Sequence, residues 1–121
     1  MGGEHIMKKV VAIIRTERVL VLKERLREIG VTAMTIGDIT AWTLYRKTTL
    51  QRRGIPVPYD LVHMAKLELY IPDDQLDRVL STITDNASTG SPGDGVIAVS
   101  DLEQIINIST LKKQEDALRS P

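Results

Sequence analysis

The chain has 121 residues, a length that one compact domain with a self-sufficient core accounts for. Sixteen Lys and Arg cancel sixteen Asp and Glu, which excludes a general electrostatic pull on nucleic acid or an anionic membrane. There is no Cys, which excludes disulfides, thiolate zinc sites and cysteine nucleophiles and fits a reducing, cytoplasmic setting.

No stretch reaches the roughly 20 apolar residues that span a bilayer. Aromatics make up 3% and Phe is absent, so the core must come from Val, Ile, Leu, Ala and Met. Residues Met1–Ile6 read as an added leader ahead of a start at Met7. Lys9 to Ile14 is a short β-branched run and predicts a buried strand. Val19, Leu20, Leu22, Leu26 and Ile29 then recur at helical spacing, with Thr16 as expected N-cap and Gly30 as the stop. Val31 to Trp42 predicts a second strand.

From Thr43 to Leu61 periodicity fails, and Gly54, Pro56 and Pro58 predict a long loop. Alternation returns at Met64, Leu67, Leu69 and Ile71, a third strand. Pro72-Asp73-Asp74 opens a second helix that carries Leu76, Val79, Leu80 and Ile83 on one face. Thr89 to Gly95 forms a tight turn, Val96 to Val99 a fourth strand, and Ile105 to Ile108 a short fifth. Lys112–Pro121 reads as a frayed, flexible tail. The order strand, helix, strand, strand, helix, strand predicts an α+β, ferredoxin-like βαββαβ subunit. Its helices cover one sheet face, and the bare face predicts a homo-oligomer.

Catalysis finds little support. His5 lies in the leader, and His63 reads as an edge histidine. Asp73-Asp74 reads as a helix start rather than a paired carboxylate, and no Ser sits in a nucleophile elbow. Nothing forms a metal-ligand cluster. The turn Gly90-Ser91-Pro92-Gly93-Asp94-Gly95 has two readings: hairpin punctuation, or backbone N–H groups gathered around an anion. The long loop holds Arg46, Lys47, Arg52 and Arg53 against one acid, Asp60. It is either a solvated basic loop or an arm for an acidic partner or anionic ligand. Trp42 at its root is either a core anchor or a stacking platform.

Together these pieces resemble the PII signal-transduction family. The resemblance is carried by Lys8 to Arg15, Ile29 to Thr35, Leu44-Tyr45-Arg46, Ile71 to Gln75, Thr89-Gly90 and Gly93-Asp94-Gly95, with Gln114 to Ala117 as the tail. It covers a domain of residues 7–111. It implies a homotrimer with adenine-nucleotide sites between subunits, and a protruding T-loop, about residues 42–61, that contacts a membrane transporter or an enzyme. It carries over Thr89, Gly93, Asp94 and Gly95 to the phosphates, and Ala33, Met34, Thr35, Glu68 and Tyr70 of the neighbour to the adenine. Ile13 and Trp42 would line the cleft, and Arg46, Lys47, Arg52, Arg53 and Tyr59 would meet the partner or an anion.

Departures from the family pattern concentrate on charge. Val96 stands where the family has a phosphate-binding Lys, Asn107 and Ser109 where it has two Arg, and Met64 where it has another Lys. Tyr45 replaces the Gln that joins magnesium and 2-oxoglutarate, and Val57 the modified Tyr. The resemblance with these departures implies a non-enzymatic regulator without a metal. It would bind ADP or AMP in preference to ATP, with bicarbonate as a further small ligand, in inorganic-carbon rather than nitrogen control. The alternatives are a nitrogen-regulatory PII of the usual type, a structural trimer with vestigial clefts, and an enzyme using Asp94 and Glu68.

Overall fold

In the computed structural model the described residues are 6–42, 48–52, 55–59 and 61–119. A four-stranded antiparallel sheet, in the order β2-β5-β1-β6, is made by β1 (Met7–Arg15), β2 (Thr35–Trp42), β5 (Leu61–Pro72) and β6 (Gly95–Leu102). The helices are α1 (Val19–Glu28) and α2 (Leu76–Ala87). This is the expected ferredoxin-like arrangement. Among the described residues no helix is long and apolar enough to cross a membrane.

Strand alternation decides which face is covered. Val10, Ala12 and Ile14 of β1 lie opposite Leu69, Leu67 and Ala65 of β5, and all six are buried. Leu22 and Leu26 of α1 and Val79 and Ile83 of α2 pack on them, each essentially without solvent contact. Burying each such side chain stabilises the fold by about 1.5–3 kcal/mol. The opposite face carries Lys9, Val11 and Ile13 beside Tyr70, Glu68 and Lys66, with the exposed Val96 and Ala98 on β6.

Helix α1 closes as the sequence suggests. Gly30 adopts φ +100° and donates to Arg27 O, while Val31 N–H donates to Leu26 O, so two orphan carbonyls are satisfied. Val31 therefore belongs to the helix-end motif, and β2 begins at Thr35 rather than at Val31. The expected Thr16 cap is also corrected. A 3-10 turn, Thr16–Arg18, leads into α1, and no side-chain hydrogen bond caps either start. Asp73 and Asp74 likewise enter through a 3-10 turn, Asp73–Gln75, without a side-chain cap.

Two further expectations change. The long loop contains an antiparallel ribbon of β3 (Thr48–Arg52) and β4 (Ile55–Tyr59). Pro56 and Pro58 fit a strand with only one partner, where a missing N–H is tolerated. The expected fifth strand reduces to a single bridge, Ile106 with Lys113. Beyond it the described residues are ordered locally, where the sequence predicts a flexible tail. Residues Gln114–Leu118 form a 3-10 helix with Ala117 buried.

Candidate functional site

The Gly-rich turn is built around one carboxylate. Asp94 Oδ2 accepts the backbone N–H groups of Thr89, at 2.7 Å, and Gly90, at 3.1 Å. Its Oδ1 accepts the Thr89 hydroxyl and Arg15 Nε, the latter at 2.8 Å. Arg15 Nη2 also donates to Pro92 O at 3.1 Å. The end of β1 is thereby tied to both arms of the turn. These donors, Thr89 first and Arg15 next, hold the Asp94 carboxyl far below the usual carboxylate range. Asp94 is thus a turn organiser, with its acceptor positions already engaged.

Gly95 is required for a separate reason. Its φ is +115°, and a Cβ there would stand 1.7 Å from Ile13 O. The turn can lie against β1 only because no side chain intervenes.

Of the sequence-predicted residues, Ile13, Trp42, Gly93, Asp94 and Gly95 line one cavity of about 530 Å³, with Val96 and Met64 in its wall. Thr89 reaches it through Asp94. Ala33, Met34, Thr35, Glu68 and Tyr70 line a second cavity of about 440 Å³, closed by Ile105–Ser109, Ala117 and Leu118. The two cavities share no lining residue. Along the same face of β5, Lys66 stands between Met64 of the first and Glu68 of the second. Among the described residues, no Lys or Arg lines either cavity.

In the second cavity the Tyr70 hydroxyl donates to Glu68 Oε2 at 2.6 Å. That bond lowers the Glu68 carboxyl below its ordinary value and raises the Tyr70 hydroxyl above its own. Lys9 Nζ adds a longer ion pair at 3.9 Å. Both acids on which an enzymatic reading would depend are held as engaged anions, a poor starting state for proton transfer at neutral pH. His63 is exposed on β5 opposite Thr40, in neither cavity.

Arg46, Lys47 and Arg53 lie outside the described residues, as does Tyr45. Arg52 and Tyr59 end β3 and β4, whose backbones alone are described. The sequence reading missed Arg15 and the roles of Asn107 and Gln114. Arg15 ends β1 beside the Ile14–Gly95 pair, and no local sequence signal announced its bond to Asp94 79 positions away.

A turn organised around the Asp94 carboxylate on one side and a tyrosine–carboxylate pocket on the other both lie at the open sheet face. The family model for the nitrogen regulatory protein P-II matches residues 7–112, and the chain belongs to that family of signal-transducing regulators. It is 34% identical over 112 residues to the nitrogen regulatory protein P-II of Pasteurella multocida and equally to P-II 1 of Escherichia coli K12, covering 93% of this chain and all of each relative. Among solved structures it is similar to Bacillus subtilis GlnK, with TM-score 0.77 and 29% identity over 93% of this chain and 99% of that one. GlnK in complex with ATP gives TM-score 0.76 and 28% identity over 95% and 98%. Arabidopsis thaliana PII bound to citrate gives 0.77 and 26% over 97% and 96%.

Proposed function

We propose that this protein is a trimeric PII-type regulator that binds an adenine nucleotide between subunits. Each cleft joins the turn cavity of one chain to the tyrosine–carboxylate cavity of the next. The division of the expected site residues into two cavities with no common lining residue carries this reading, since each chain supplies two complementary halves. GlnK, a relative of the same fold, is known with ATP, which supports the ligand class.

The charge of the ligand follows from the walls. Among the described residues no Lys or Arg lines either half, and Arg15 is committed to Asp94 and Pro92 O. Each charge-assisted phosphate contact is worth about 1.5–3 kcal/mol, so a triphosphate forgoes most where cations are few. ADP or AMP is favoured over ATP. An occupied cleft abuts Trp42, where the T-loop departs, and so biases the loop's fit to a transporter or enzyme. Inorganic-carbon control rests on elimination, while the relatives that match are named for nitrogen. The identity of the T-loop's partner decides between them.

Calorimetry with AMP, ADP and ATP, with and without bicarbonate, tests the assignment alongside sedimentation. The expected result is a trimer that binds AMP or ADP more tightly than ATP. Tightest binding of ATP overturns the charge argument. Flat traces with a trimer favour the structural reading, and single chains at micromolar concentration remove the clefts altogether.

A further inference from the structure

The second cavity is bordered by the C-terminal stretch of the same chain. Ala117 and Leu118 line it, and Ala117 is buried. Behind that stretch lies another cavity, of about 330 Å³, which shares Ala33, Tyr70 and Leu118 with the second. The 3-10 helix Gln114–Leu118 therefore lines both hollows, through Glu115 and Leu118 on one side and Ala117 and Leu118 on the other.

Two amide side chains hold this helix. Asn107 Oδ1 accepts the N–H groups of Ser109, at 2.9 Å, and Thr110, at 3.0 Å, while its Nδ2 donates to Ala117 O at 3.0 Å. Gln114 Oε1 accepts Ile105 N–H at 3.1 Å, and the Gln114 N–H donates to Ile105 O at 2.9 Å. Backbone conformation adds a second, independent sign. Leu111 and Gln114 sit at φ +62° and +56°, a region costly for residues with a side chain. Such strain persists where surrounding contacts over-determine it, and the amide bonds are those contacts.

We infer that Asn107 is a positioning residue that pins the C-terminal 3-10 helix as a wall of the nucleotide half-site. With the helix in place the cavity still measures about 440 Å³. That is within the range of small-ligand pockets, so the helix acts as a wall and not as a plug. The inference rests on the nucleotide reading for the identity of the ligand. A residue at which the family pattern expects a cation for the phosphates has here taken a different task. It shapes the apolar and hydrogen-bonding surround by fixing the chain that follows.

The variant Asn107→Asp separates the pin from the local turn. Aspartate keeps both acceptors for Ser109 and Thr110 but loses the donor to Ala117 O. Without ligand, cutting by trypsin after Lys112 and Lys113 should rise about five- to ten-fold, the opening expected from one lost hydrogen bond. With ligand, AMP and uncharged adenosine should both weaken by a similar factor, because the wall serves the nucleoside. Loss confined to AMP means that the new charge repels phosphate, and it overturns the inference. So does unchanged adenosine binding despite faster cutting, or unchanged cutting. If the native protein binds neither AMP nor adenosine, the nucleotide reading fails and the wall fails with it.

Discussion

Replacing Gly95 by Ala tests the close approach of the turn to β1. The added Cβ would stand 1.7 Å from Ile13 O, and 2.8 Å from the carbon that bears it, at φ +115°. Contact distances of ordinary Cβ atoms begin near 3.0 Å, so backbone must move by about 1.3 Å. Nothing flexible is available to yield, because the obstacle is a strand carbonyl. Strain at the positive φ costs about 1–3 kcal/mol. Opening the ladder where Gly95 pairs with Ile14 removes one or two hydrogen bonds at about 0.5–1.5 kcal/mol each. A loss near 3 kcal/mol from a domain stability of about 5–15 kcal/mol should lower Tm by roughly 10 °C. Differential scanning calorimetry reads it directly. Gly37→Ala is the control, since a Cβ there meets nothing within 4 Å, and its Tm should stay within about 2 °C. A Gly95→Ala protein that melts within the same margin would refute the packing of the turn on β1.

Three other outcomes are expected. Val96→Lys, at an exposed position in the turn cavity, should tighten ATP more than AMP, by roughly ten-fold for ATP, in titrations that weaken with added salt; equal tightening of both would contradict the charge argument. Because the Asp94 carboxyl is depressed in the folded chain, its support is complete above its unfolded value of about 3.8 and fades as pH falls through the lower folded value. Acid melting curves of native protein should therefore decline below about pH 4 more steeply than those of Asp94→Asn, and parallel curves would remove Asp94 as the organiser. Trp42 is the only Trp and lies on the rim of the turn cavity, 60% exposed, so its emission should shift to the blue as nucleotide saturates. A calorimetrically saturated protein with unchanged emission would place the ligand elsewhere.

The elements most legible in the sequence were those with one dominant cause. Alternation along Leu67, Leu69 and Ile71 and helical spacing from Leu76 to Ile83 each reflect burial against a single core, and both appear in β5 and α2. Gly30 was legible because a glycine after an amphipathic run has few other uses. What escaped depended on groups distant in sequence. The Arg15–Asp94 pair spans 79 positions, and no local pattern announces it. Val31 looked like strand because it is apolar and β-branched, yet its N–H closes α1. The C-terminal stretch looked frayed because it is polar. Its order comes from side-chain amides bonding to backbone at Ile105 and Ala117, which composition does not reveal. The site was half legible: its residue types pointed to an anion and a planar group, while their separation into two cavities needed the fold.

That separation has a thermodynamic consequence. On the proposed reading, a ligand held by two chains binds their assembled form and not the separated subunits, so it stabilises assembly by mass action. Linkage is reciprocal, and dilution that separates subunits must weaken the ligand by the same factor. In the proposed cleft the Tyr70–Glu68 pair would stand on one side and the turn clamped by Arg15 on the other. On the same reading, a sheet that presents both halves makes the signal depend on the seam between chains, and Trp42 of the turn cavity stands at it.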